Sequence, residues 1–188
     1  TAVSFRDHAL FNAFQISVQT LKRVQNKEFQ GMPGDKGSKI MLCALQLACN
    51  CLCFDFIGTN PEESSEDVGT VQVPSAWRPV VQDVENMQLF FDLYAATEPP
   101  RSNLALQAIV QLAAVRRSLF SGEKERTAFL QCIMTSIHTI MSTQQGLQHD
   151  ENYNEFCRLL GRLKTSYQLS ELVKTTNFKG WLELACQF

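Results

Sequence analysis

Apolar residues in this chain recur in steps of three and four, and that spacing restricts most of it to amphipathic helices. In TAFLQCIMTSIHTIMS the positions Phe129, Leu130, Ile133, Met134, Ile137, Ile140 and Met141 form one stripe. It begins after Ser121-Gly122 and fades in the polar run Ser142 to Gln145. NYNEFCRLLGRLKTSY repeats the pattern with Tyr153, Phe156, Leu159, Leu160, Leu163 and Tyr167. Leu10, Phe11, Phe14, Val18 and Leu21 make a stripe near the start, stopped by the break at Gly31-Met32-Pro33-Gly34. Met87, Phe90, Phe91 and Tyr94 mark a fourth helix over about Val84 to Ala96.

Two further helices differ in kind. From Lys39 to Phe54 only Gln46 and Asn50 interrupt an apolar surface. From Ser102 to Leu119 the polar stripe is Gln107, Gln111 and Ser118, with Arg116 and Arg117 near the end. A helix that is apolar around most of its circumference must be covered on several sides. In a layered stack, a helix that faces its own partner and both neighbours meets that requirement. The reading is therefore all-α: helix pairs of about 6–29 with 38–54, 84–96 with 102–119, and 123–143 with 150–165. A last helix is expected from about Phe178, without its partner. The pair lengths bracket the roughly 40–47 residues of HEAT and armadillo units, so the fold class expected is an α-solenoid of HEAT-type antiparallel helix pairs. The whole chain, 1–188, then forms a single repeat segment of something longer. The start at Thr1, without a methionine, points the same way.

One connection is unusually long. Residues 55–83 hold NPEESSEDVG, with acids at Glu62, Glu63, Glu66 and Asp67, and then VQVPSAWRPV, with Trp77 between Pro74 and Pro79. Only GTVQVP (Gly69–Pro74) alternates as a strand would. A loop of this length is usually functional or disordered. The plain reading is a solvated acidic tip with Trp77 tucked back as its anchor.

LACNCLCFDF sets Cys49, Cys51 and Cys53 at alternate positions. On a helix, residues two apart point about 200° apart, so only Cys49 and Cys53 share a face. Three thiolates cannot then converge on a metal, and the spacing matches no zinc pattern. The expected role is packing as small hydrophobes, with a thiol or metal protein as the rejected rival. Seven cysteines in apolar patterns, an odd number, and the absence of any Asn-x-Ser/Thr sequon fit a reducing compartment, cytosol or nucleus. A net charge of −2 gives no field for nucleic acid or an acidic membrane surface, and no apolar run approaches the roughly 20 residues that span a bilayer.

Catalytic patterns are missing from the sequence. His8, His138 and His149 are scattered; G-x-S-x-G, H-E-x-x-H, G-x-G-x-x-G and a phosphate loop do not occur. QGMPGDKGSK (Gln30–Lys39) lacks the phosphate-loop order and reads as an inter-helix loop, and Arg6, Asp7 and His8 read as a solvated helix start. No enzyme, metal or cofactor is expected. The positive charge is more suggestive. Arg116 and Arg117 end one second-in-pair helix; Arg158, Arg162 and Lys164 line another, so both sets should project onto the same side of a stack. Salt bridges along the helices are one reading of these cations, and a partner-binding surface is the other, since helical solenoids bind through extended concave faces.

Five blocks carry a resemblance: NCLCFDFIGT (Asn50–Thr59), ESSEDVGTVQVPSAWR (Glu63–Arg78), QLFFDLY (Gln88–Tyr94), VQLAAVRRSLF (Val110–Phe120) and NYNEFCRLLGRLKTSYQLSELVK (Asn152–Lys174). Together they resemble the exportin-7 and Ran-binding protein 16/17 family of importin-β superfamily transport receptors, over about Ile40 to Lys174. The resemblance implies a right-handed HEAT superhelix, an interior portion of a long receptor that shuttles between nucleus and cytoplasm through the nuclear pore. It also implies Ran in its GTP form, protein cargo and Phe-Gly nucleoporins as partners, with no cofactor of the receptor's own. The site candidates, Glu62, Glu63, Glu66, Asp67, Arg116, Arg117, Arg158 and Arg162, come from charge and helix placement. The alternative is a helical scaffold without transport activity. A slice of such a solenoid, cut without polar caps, is also expected to self-associate.

Overall fold

The computed structural model describes residues 2–54, 56 and 73–175. Its helices are α1 (Ala2–Gln25), α2 (Lys36–Leu52), α3 (Arg78–Val81), α4 (Val84–Ala96), α5 (Arg101–Ala113), α6 (Glu123–Thr143), α7 (Asp150–Ser166) and α8 (Leu169–Lys174). Single 3-10 turns span Ser75–Trp77 and Arg117–Leu119. There is no strand among the described residues; Val73 and Pro74, the described end of the strand candidate, are irregular. The helix expected from Phe178 lies outside the described residues, as do all four acids of the 62–67 run.

The helices stack as pairs. α1 packs along α2 and α4 along α5; α2, α5 and α7 form one layer, while α1, α4 and α6 form the other. The architecture is an all-α solenoid of stacked helix pairs. α5 touches α4, α2 and α7, so it is covered on three sides, and Leu104, Leu106, Ile109, Val110 and Leu112 are all buried although they point in different directions. That is the arrangement its nearly continuous apolar surface requires. α2 has α1 and α5 as its main neighbours, and its remaining side leaves Leu47 in solvent. The pairing expected between 123–143 and 150–165 is not closed as the first two are: α6 packs on α4 and α7 on α5, with α8 against α6, and α6 and α7 make little direct contact.

Local chemistry sets the helix ends. Asp83 caps α4 by accepting from the Glu85 N–H at 2.9 Å. Pro79 lies in the first turn of α3, where a missing N–H costs nothing. α6 ends with Gln144 in the left-handed region at φ 58°, followed by Gly146 at φ 77°.

α5 stops at Ala113, six residues before the end expected at Leu119. The Ala114 and Val115 amides turn back onto Gln111 and Leu112, and Arg116 is extended at φ −61°, ψ 149°. This turn buries Val115, Leu119 and Phe120, the last edge-on to Phe129 of α6 at 5.2 Å. Spacings of three and four among Leu112, Val115 and Leu119 suit a continuing helix and this tighter path equally well. Arg116 and Arg117 therefore belong to a connection rather than to a helix end.

Trp77 is fully buried. It stacks on Phe14 at 5.3 Å and lies 5.7 Å from Phe11 and 5.5 Å from Phe56. The end of the long connection is thereby fixed onto α1. Arg6, expected on a solvated helix start, instead places its guanidinium 5.4 Å from the Phe54 ring and 5.9 Å from Phe56.

Candidate protein-interaction surface

Cys49 and Cys51 are buried in α2 and Cys53 is exposed just past its end. The Cys49 thiol donates to the Leu104 carbonyl at 3.2 Å, binding α2 to α5. Burial pushes its pKa up to about 12, with the nearby Cys53 and Glu155 adding to the effect. Cys53, though exposed in part, is also raised by the desolvation of its remaining surface, against the opposing pull of Arg158. These are poor nucleophiles and poor metal ligands, since both roles need the thiolate. Among the described residues no three His, Cys, Asp or Glu side chains are placed to hold a metal ion.

The arginines each have a role inside the fold. Arg158 on α7 pairs with Glu155 one turn earlier at 2.6 Å, next to the end of α2. Arg117 pairs with Glu123 at the start of α6 and lies 3.9 Å from Glu171 of α8. Arg116 is half-buried, with Nη2 3.5 Å from the Val73 carbonyl, and Arg162 is half-buried on α7. Arg117 is thus drawn toward α6 and α8 while Arg158 faces α2. Even so, Arg117 and Arg158 keep 57% and 55% of their side chains in solvent, which leaves their charge available to a partner.

The periodicity reading passed over a buried cation. Arg126 of α6 is almost fully enclosed; its Nε donates to Glu171 at 2.9 Å, its Nη2 to the Ser166 carbonyl at 3.0 Å, and its guanidinium lies 4.3 Å over the Tyr167 ring. Partial burial favours protonation of Glu171, but the Arg126 bond, the Gln168 N–H and the charges of Arg126 and Arg117 outweigh it and hold the carboxyl below its usual range. The signal was present, because Arg126 falls three and four residues before Phe129 and Leu130, on the apolar stripe. Asn152 is similar: it sits on the stripe of Phe156 and Leu159, is buried, and donates to Ser102 at 3.1 Å and to the Gly146 carbonyl at 3.2 Å.

On the α1–α4–α6 side a groove of about 500 Å³ runs between Lys22 and Gln25 of α1, Glu85 and Gln88 of α4, and Cys132 of α6. Asp92 at its edge accepts from Gln25 of α1 and from Gln88 of its own helix, each at 2.8 Å, so the Gln25 carboxamide ties α1 to α4 where packing is sparse. The groove's lining is mixed, with Lys22, Glu85 and Asp92 beside Val84 and Leu89.

The whole chain aligns with curated proteins. It is 46% identical over 187 residues to Exportin-7-A of Xenopus laevis, covering 100% of this chain. The chain belongs to the exportin-7 and Ran-binding protein 16/17 family. Ran-binding protein 17 of Homo sapiens is 40% identical over 187 residues and Ran-binding protein 16 of Drosophila melanogaster 38% over 188, again across 100% of the chain. The similarity to this family therefore also takes in residues 1–39, which the sequence blocks did not reach. The chain spans 17% of the length of each of these relatives. No family model matches it, and no solved structure does.

Proposed function

We propose that residues 1–188 are one repeat segment of an exportin-type nuclear transport receptor, acting by protein–protein contact and not as an enzyme. The receptor binds Ran in its GTP form and protein cargo, contacts Phe-Gly nucleoporins, and moves between nucleus and cytoplasm through the pore. The supporting observation is identity of 38–46% with exportin-7 and Ran-binding proteins along the entire chain, joined to a stack of helix pairs built for extended contact. Arg117 and Arg158, with Arg116 and Arg162 beside them in sequence, are the cationic part of the surface. The acidic run Glu62, Glu63, Glu66 and Asp67 is the second candidate, on its charge alone.

The test is capture of the full-length receptor on Ran loaded with GTP or with GDP. Preferential retention on the GTP form supports a transport receptor, whereas indifference to nucleotide points to a scaffold. Reversing Arg116, Arg117, Arg158 and Arg162 to Glu in the same receptor should weaken Ran or cargo binding and flatten its salt dependence. Unchanged affinity at low salt removes these arginines from the interface.

A further inference from the structure

One side of α5 stays open among the described residues. α4, α2 and α7 pack on its other sides, and the open side carries Asn103, Gln107 and Gln111, four apart and half-buried. Gln107 Nε2 donates to Asn103 Oδ1 at 2.7 Å. α2 holds a second carboxamide line, where exposed Gln46 donates through Nε2 to Asn50 Oδ1 at 3.1 Å. Cys49, three residues after Gln46, donates to the Leu104 carbonyl, so this line follows the edge of α2 that borders α5. α7 supplies the opposite edge with Arg158, whose charge reaches Cys53 at the end of α2. The side chain of Arg158 is 55% exposed and that of its partner Glu155 only 12%. The α5 line is therefore the floor of a shallow trough.

No charged residue occurs from Ile40 to Phe54 or from Ser102 to Val115, although exposed positions commonly carry Lys, Glu or Arg. Carboxamides offer donors and an acceptor without charge. A bonded pair keeps capacity of both kinds, and covering it costs less than covering an ion. Spacing adds a second constraint. Four residues of helix rise about 6 Å, and two residues of extended chain about 6.6 Å. The three α5 carboxamides thus keep step with alternate peptide groups of an extended strand to within about 1 Å.

We propose that this trough holds an extended segment of a partner protein by its main chain, with an acidic side chain of that segment on Arg158. Carboxamides bond any peptide group, so partner side chains are read only at the α7 edge. Glu151, exposed two turns before Arg158, repels an acid from its own end of that edge. The site rests on the reading of this chain as a protein-binding segment and names the form of partner it takes.

The test is fluorescence anisotropy of a labelled peptide of alternating threonine and serine, closed by two aspartates, titrated with the 188-residue chain. Saturable binding is expected. Methylating the peptide's backbone nitrogens, which removes donors and keeps every side chain and charge, should weaken it severalfold. Gln107→Ala/Gln111→Ala should weaken it severalfold at unchanged circular dichroism; if that variant unfolds, Gln46→Ala/Asn50→Ala, at exposed positions, takes its place. Arg158→Gln should abolish only the advantage of the aspartate ending over an asparagine one. The proposal is overturned by the absence of saturable binding, by equal binding of the methylated peptide, by indifference to the carboxamide variants, or by loss of all binding in Arg158→Gln. Anisotropy that falls again at high chain concentration also overturns it and assigns the trough to a second copy. Any of these results beside GTP-selective capture on Ran removes this site alone. Peptide binding as expected without that selectivity removes the transport reading alone.

Discussion

The Tyr94 hydroxyl donates to the Gln145 carbonyl at 2.7 Å, and the next residue, Gly146, approaches so closely that a Cβ there would lie 2.6 Å from the same oxygen. This contact, with Gln145 Nε2 on the Ala95 carbonyl at 2.6 Å and His149 on Glu98 at 2.6 Å, clasps the turn of the second helix pair to the turn of the third. Gly146 also has φ 77°, a conformation L-residues take at a cost. Gly146→Ala should therefore lower stability by about 1–3 kcal/mol. Tyr94→Phe, which removes the colliding oxygen, should recover part of that loss in the double variant, giving a non-additive cycle in chemical denaturation.

Trp77 holds the end of the long connection through three aromatic contacts. Trp77→Ala should cost about 3–5 kcal/mol, the range for emptying a large aromatic site. The loss should come with earlier proteolytic cleavage in the 55–83 connection than in the parent, read by mass spectrometry.

The Arg126–Glu171 pair predicts an acid-sensitive C-terminal end. Glu171 has a depressed pKa in the folded protein, so its contribution is complete above the ordinary glutamate pKa of about 4.3. It is lost as pH falls through the lower folded value. Protection of the α7–α8 amides from hydrogen exchange should fall over that acid window. Glu171→Gln should lack this step and be less protected already at neutral pH.

Thiol reactivity should sort by burial. Alkylation of native protein should reach exposed Cys43 and Cys157 first. Cys132, half-buried and raised to about 11 by burial and by Asp92, should be slower. Cys49 and Cys51 should resist until unfolding. Fast labelling of Cys49 in native protein would show that α2 does not pack on α5 as described.

Phe5 and Ile16 lie on one line of α1, eleven residues apart, and are 77% and 58% exposed. The isolated chain should associate through this face as concentration rises. Phe5→Ser/Ile16→Ser should shift its sedimentation coefficient to the monomer value at unchanged helicity.

The sequence by itself determined the helical stripes, the pairing of α1 with α2 and of α4 with α5, and the need of α5 for cover on several sides, because apolar spacing is a property of the chain alone. That α6 packs on α4 and α7 on α5 rather than chiefly on each other was decided by the tertiary structure. The sequence also set Cys49 and Cys51 on different sides of α2, through the angle between helix positions. Only the tertiary structure decided where α5 stops, since Leu112, Val115 and Leu119 suit a helix or a tight turn until Phe120 finds Phe129. Likewise, a charge such as Arg126 belongs to the core or the surface according to whether Glu171 and the Ser166 carbonyl come to meet it. Spacing records which residues leave water. Partners distant in the chain decide which polar groups can follow them, because the cost of burying a charge depends on what stands opposite.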